Sequence, residues 1–201
     1  MNRTPDMETW AIILAAGESL RMKRNKLLLP YRNLTIIEVV IGNIRQAQIE
    51  HILLVTGAYR DELTEATRYL KVSYCHNDDY REGMLSSVQC GFSHLPPSME
   101  AALIFPGDQP EIPRSVAADL MEEQTRSGKG LLVPVFAGKR GHPLLIHRRY
   151  REDIFRLNPE EGLRGLLKRF PGDVQEVKVN TPGILKDVDI PADYDELTKP
   201  K

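Results

Sequence analysis

Apolar residues along this chain fall into short runs, separated by longer stretches where they recur every three or four positions. The runs at 10–14, 52–56, 72–75, 101–105 and 131–135 are largely apolar or β-branched, the signature of strands buried on both faces. The stretches at 35–47, 59–70, 86–95 and 113–127 read as helices. In the last, Pro113 suits the first turn and Gly128 lies just past the end. Runs at 142–147, 174–179 and 184–188 predict later strands, and apolar faces at 150–157 and 161–170 predict two further helices. Regular alternation of this kind predicts an α/β fold with a mostly parallel sheet and helices on both faces. No repeat, low-complexity tract or linker interrupts it, so residues 1–201 read as a single domain. Only the ends, roughly 1–8 and 198–201, read as loose.

Composition narrows the function classes. A chain of 201 residues can bury a substantial core without staples. With 27 basic and 28 acidic residues the net charge is −1, which argues against a general nucleic-acid or membrane surface. Any basic site must be local. Cys75 and Cys90 have no CxxC spacing and no histidine partner at metal-site spacing, and read as small core residues of a reducing compartment. The first nine residues are polar, with Asp6 and Glu8, which argues against a signal peptide. No apolar run reaches transmembrane length. These features together predict a cytoplasmic protein.

The densest candidate chemistry follows the first strand. Leu14, Ala15, Ala16 and Gly17 end that strand in small residues, and Ser19, Arg21, Lys23, Arg24 and Lys26 follow in a polar loop. Small residues at a strand end let a ligand approach the backbone, whose N–H groups can cradle phosphate oxygens. Arg21 can bind phosphate bidentately and Lys26 can act as a point charge. That combination suits a nucleoside triphosphate, although the GxxxxGK[ST] and GxGxxG spacings are both absent. A solvated basic loop beside an ordinary core strand is the alternative. After the fourth strand, Pro106-Gly107-Asp108-Gln109-Pro110 fixes a tight turn that projects one carboxylate, fit either for a hard cation or for capping the turn.

The opening loop resembles, nearly letter for letter, the signature LAAGxSxRMGxxKLLL of the MobA-like nucleotidyltransferases, with Lys23 standing where that family has glycine. Residues 107–110 resemble its GDQP metal-binding motif, and 187–194 its DxDTPxDL segment, with Ile190 in place of threonine. The alternating carboxylates Asp187 and Asp189 are expected on opposite faces, so that one of them, Asp189 by resemblance, joins Asp108 as a metal ligand. Asp193 is expected to start the final helix. Residues 83–91 resemble GMxxSxxxG, where Gly83 allows close approach and Ser86 or Ser87 opens a helix whose N-terminus faces the nucleotide. Gly141-His142-Pro143-Leu144 matches GHPxL on the acceptor side, and residues 159–164 keep only Gly162 and Arg164 of GDxGxR. Arg164 could meet an anionic acceptor or form a surface ion pair.

The resemblance implies a Rossmann-like nucleotidyltransferase using Mg²⁺, with Arg21 and Lys26 as the catalytic cations. It further implies nucleotide contacts at Leu14, Ala15, Ala16, Gly17, Ser19, Arg21, Lys26, Gly83 and Ser87, and metal ligation by Asp108 and Asp189. Gly141, His142 and Arg164 fall on the acceptor side. LAAG rather than LAGG leans toward a pyrimidine, and the cytidylyl-transferring branch implies CTP and a molybdenum-carrying molybdopterin as substrates, with transient contact to a molybdenum apoenzyme. Guanylyl transfer to the same pterin, transfer to a sugar or lactyl phosphate, and a non-catalytic cofactor chaperone remain the alternatives.

Overall fold

The computed structural model describes residues 8–199. Its strands are β1 (Thr9–Ala15), β2 (Pro30–Tyr31), β3 (Leu34–Thr35), β4 (His51–Thr56), β5 (Ser73–His76), β6 (Ala101–Pro106), β7 (Leu131–Phe136), β8 (Lys139–Arg140), β9 (Leu144–His147) and β10 (Val174–Lys178). The helices are α1 (Ile36–Gln46), α2 (Arg60–Thr67), α3 (Met84–His94), α4 (Arg114–Ser127), α5 (Arg151–Phe155), α6 (Leu163–Arg169) and α7 (Pro191–Thr198). The main sheet runs β10-β7-β9-β6-β1-β4-β5, with β8 on β7. Pairing is parallel along β6, β1, β4 and β5 and between β10 and β7, whereas β9 runs against both neighbours. The expected mostly parallel α/β sheet is present.

Strand alternation splits the core into two layers. Ala11, Ile13 and Ala15 face one side of β1, packing with Ile37, Val40, Ile41 and Ile44 of α1 and Val116 and Leu120 of α4. Ile12 faces the other, with Val88 and Phe92 of α3, Ile154 of α5 and Leu166 of α6. Because β1 has neighbours on both edges and helices on both faces, its carboxyl end is fixed from four sides. Ligands of such sheets gather there.

Local chemistry sets the helix limits. Thr35 precedes α1 rather than opening it. Its hydroxyl accepts from Glu38 N at 3.4 Å while Glu38 accepts from Thr35 N at 2.6 Å, a reciprocal cap. Pro113 likewise stands just before α4, and Gly128 ends it at φ 65°. The strand expected at 184–188 does not form. Pro182, which lacks an N–H, begins a short 3₁₀ turn at Pro182–Leu185, and Val188 N then donates to Asp108 O at 3.1 Å instead of joining a ladder. Strand β9 starts after Pro143 for the same reason. Of the ends expected to be loose, 1–7 and 200–201 lie outside the described residues. Glu8 accepts from Trp10 Nε1 at 3.0 Å, and Thr198 donates to Tyr194 O at 2.9 Å, so both are tied down.

Candidate active site

The carboxyl ends of β1 and β6 are joined beyond their ladder: Gly107 N donates to Leu14 O at 2.9 Å. A Cβ at Gly107 would come within 2.9 Å of that same carbonyl, so only glycine lets the two strand ends close this tightly. The loop after β1 then turns back through two left-handed residues, Ser19 at φ 50° and Lys23 at φ 55°. That geometry accounts for the family's glycine at position 23, since glycine adopts positive φ without steric cost. Asn25 closes the loop by accepting from Leu27 N at 3.2 Å, which sets Lys26 at the start of a 3₁₀ turn facing Asp108.

Lys26 is the hub of the site. Its Nζ donates to Asp108 Oδ2 in a very short contact and to Asp189 Oδ1 at 2.9 Å. Arg21 donates to Asp189 Oδ2 at 2.9 Å. The two cations and two carboxylates singled out in the sequence therefore converge from positions up to 168 residues apart. Burial would depress the Lys26 ammonium, but Asp108 and then Asp189 outweigh it and hold Lys26 above its ordinary range. Asp108 is pushed up, first by burial and further by Asp187 and Asp189, with Lys26 opposing. Asp189 is held below the usual carboxylate range, first by its hydrogen bond from Lys26, with the charges of Lys26 and Arg21 adding and burial opposing.

Asp187 and Asp189 do not point to opposite faces. Residues i and i+2 of an extended segment share a face, and the two flank buried Val188, both with their charge on Asp108. Asp187 also accepts from Gln109 Nε2. Asp193 opens α7 as expected, its carboxylate accepting from Asp189 N and Ile190 N, each at 2.9 Å.

A cavity of about 310 Å³ lies against these groups. Leu14, Ala15, Ala16, Gly17, Ser19, Lys26, Gly83, Ser87 and Asp108 all line it, joined by Tyr80 and Met84, which the sequence reading did not single out. Arg21 lines an adjoining depression with Asp189 and Arg81. A third depression, about 340 Å³, holds Gly141 and His142 together with Asp108, Asp187 and Asp189. The first and third share Asp108, and the second and third share Asp189.

Neither Ser86 nor Ser87 opens α3. Gly83, at φ 105°, precedes the helix, and Ser86 donates back to Gly83 O and Asp79 O, each at 2.9 Å. Asn77 Nδ2 reaches Ser86 Oγ at 2.9 Å and Ser87 Oγ at 3.0 Å, fixing the first turn of α3 to the end of β5. His142 is partly buried, with its Nδ1 fully enclosed, and that desolvation lowers its pKa below the ordinary histidine value, with Arg164 adding and Asp187 opposing. Its Nδ1 has no partner within the described residues. Exposed Arg164, in the first turn of α6, forms no ion pair among the described residues and does not line the depression that holds Gly141 and His142. The cysteines do gain a histidine, against the expectation that none stands at metal-site spacing. His94 follows Cys90 at i+4 on α3, a spacing already present in the sequence, and the fold brings Cys75 to them from β5.

The model of the MobA-like NTP transferase domain matches residues 11–176. The chain belongs to that family. It is a nucleotidyltransferase, and the matched span takes in the opening loop and the Asp108 turn but stops short of Asp189. The molybdenum cofactor cytidylyltransferase of Escherichia coli K12 is 31% identical over 187 residues, covering 91% of this chain and 92% of the relative. Among solved structures, a mycobacterial protein from strain JC1 is 26% identical with a TM-score of 0.85, over 96% of both chains. A nucleotidyl transferase from Methanothermobacter is 22% identical with a TM-score of 0.81, again over 96% of both chains, and shares the fold. Among the described residues no helix is long and apolar enough to cross a membrane.

Proposed function

We propose that this nucleotidyltransferase moves CMP from CTP onto the phosphate of molybdenum-carrying molybdopterin, releasing pyrophosphate, with residues 1–201 acting as one catalytic domain. The observation that carries the reading is Lys26 held between Asp108 and Asp189 beside a cavity lined by strand-end backbone. In this reading the triphosphate lies along Ala15, Ala16, Gly17 and Ser19, and Arg21 and Lys26 balance its charge. Asp108 and Asp189 offer only oxygen donors, which suit a hard divalent cation such as Mg²⁺. Asp187 adds a third negative charge to the two that Lys26 and Arg21 face, so the donor set fits a further cation. When bound, that ion supplies charge neutralisation at phosphate oxygens.

A phosphate nucleophile is already anionic at neutral pH, so the reaction needs no general base. His142, partly buried and held below the ordinary histidine value, is therefore assigned with Gly141 and Arg164 to positioning the acceptor. Catalysis rests on orientation and charge. The name of the Escherichia coli relative supports both the cytidylyl group and a molybdenum cofactor as acceptor. A molybdenum apoenzyme receiving the product is the implied transient partner.

Ala16 supports the base choice. It is 5% exposed and packed so closely on Gly57 that a Cβ there would come 2.8 Å from its own, which narrows the gap between β1 and β4. A wrong base would meet that wall and leave polar groups unpaired, at about 1–3 kcal/mol each. The test is pyrophosphate release from CTP or GTP with the molybdenum-loaded pterin. CTP should be preferred by at least roughly tenfold in kcat/KM. Equal use of GTP would refute the cytidylyl assignment, turnover only with a sugar or lactyl phosphate would refute the acceptor, and binding without turnover would favour a carrier.

A further inference from the structure

Between β5 and the later turns of α3, three soft and borderline ligands converge without any part in the proposed transfer. Cys75 is buried on β5, Cys90 is half-buried on α3, and His94 is exposed one turn further along α3. Cys90 Sγ lies 3.7 Å from Cys75 Sγ, and one ligand atom from each of the three residues falls within 4.8 Å of the other two. A tetrahedral zinc ion with Zn–S bonds of about 2.3 Å sets two sulfurs about 3.8 Å apart, so the two thiols already stand at that edge length. His94 sits at i+4 from Cys90, which places both on one face of the helix.

We propose that Cys75, Cys90 and His94 form a binding site for a thiophilic divalent cation, Zn²⁺, that clamps α3 to β5. Two sulfurs and one imidazole nitrogen select against Mg²⁺, which prefers oxygen, and so separate this site from the carboxylates around Lys26. Burial pushes both thiols above their ordinary range, so they are protonated without metal. Binding releases those protons and replaces two neutral thiols by thiolates neutralised by the ion. Exposed His94 leaves an entry path and a fourth position for water. The clamp would act on the elements that Asn77 already joins to Ser86 and Ser87, beside the cavity. Metal bound there therefore stabilises the wall that carries Gly83 and Ser87.

The test titrates fully reduced full-length protein with CoCl₂, then with ZnCl₂. Thiolate-bound cobalt gives a near-ultraviolet charge-transfer band that carboxylate-bound cobalt does not, so the Asp108 site is silent in this readout. One equivalent of band is expected, bleached by zinc, with a zinc-dependent rise in Tm. Cys90→Ser should abolish the band, and His94→Ala, at an exposed position that leaves the core intact, should weaken zinc binding by at least roughly tenfold. Wild-type protein without the band, a band undiminished in Cys90→Ser, or unchanged zinc affinity in His94→Ala would each overturn the proposal.

Discussion

Asp108 is a residue that the fold tolerates at a cost. Burial and the neighbouring Asp187 and Asp189 push its pKa up, so the folded state favours its protonated form and the stability that form contributes is lost as pH rises. At neutral pH the charged carboxylate therefore weakens the fold. Asp108→Asn should lower turnover by roughly a thousandfold, several kcal/mol of transition-state stabilisation, while Tm stays level or rises. Near-normal turnover at saturating magnesium, measured by pyrophosphate release, would remove Asp108 from the metal site. Lys23 shows strain of another kind. It is exposed, lines neither the cavity nor the depression beside it, and holds φ 55°, where a side chain costs about 1–2 kcal/mol. Glycine relieves that strain but adds freedom to the unfolded chain worth about 0.4–1 kcal/mol. Lys23→Gly should thus leave stability unchanged or raise it by about 1 kcal/mol, and leave the KM for nucleotide unaltered. A large rise in that KM would mean that Lys23 reaches the triphosphate after all.

At the scale of elements, the sequence was most legible where one signal dominated. The apolar runs of β1, β4, β6 and β7 are largely buried strands that periodicity alone identifies, and Gly128 marks the end of α4. Thr35, Pro113 and Ser86 were each placed correctly near a helix start, yet on the wrong side of it, because caps and first turns draw on the same residue types. The segment at 184–188 failed for a tertiary reason: its apolar residues pack onto the Asp108 turn instead of pairing with a strand. The cavity-lining residues Leu14, Ala15, Ala16, Gly17, Ser19 and Lys26 share one loop and so are legible as a group, whereas Tyr80 and Met84 enter the cavity through the Gly83 bend. Helix α7 offers a direct test of such positioning. Asp193 both starts the helix and fixes the backbone of Asp189, so Asp193→Ala should cost about 1 kcal/mol of stability. It should also lower kcat, and Asp193→Asn, which keeps an acceptor, should restore part of both. Full activity in the alanine variant would show that Lys26 and Arg21 hold Asp189 unaided.

Over the whole molecule, the pH response combines two opposing sets of groups. Burial lowers His142 and His147 below the ordinary value near 6.5, with Arg149 adding for His147, so the folded state keeps both neutral where the unfolded chain takes up protons. The unfolded state then binds more protons, and stability must fall as pH drops through that range. Asp108 works in the opposite sense, since its raised pKa makes the folded state gain stability on acidification. The two sets are separable by substitution. Urea midpoints measured from about pH 7.5 to about pH 5.5 should decline in the wild type. The decline should be at least as steep in Asp108→Asn, which removes the opposing group, and should flatten in His147→Asn, which keeps an acceptor for Arg149 N but removes one titrating ring. A midpoint that rises toward acid in Asp108→Asn would show that the histidines are not held neutral, and with that the case for His142 as a positioning group rather than a proton carrier would fall.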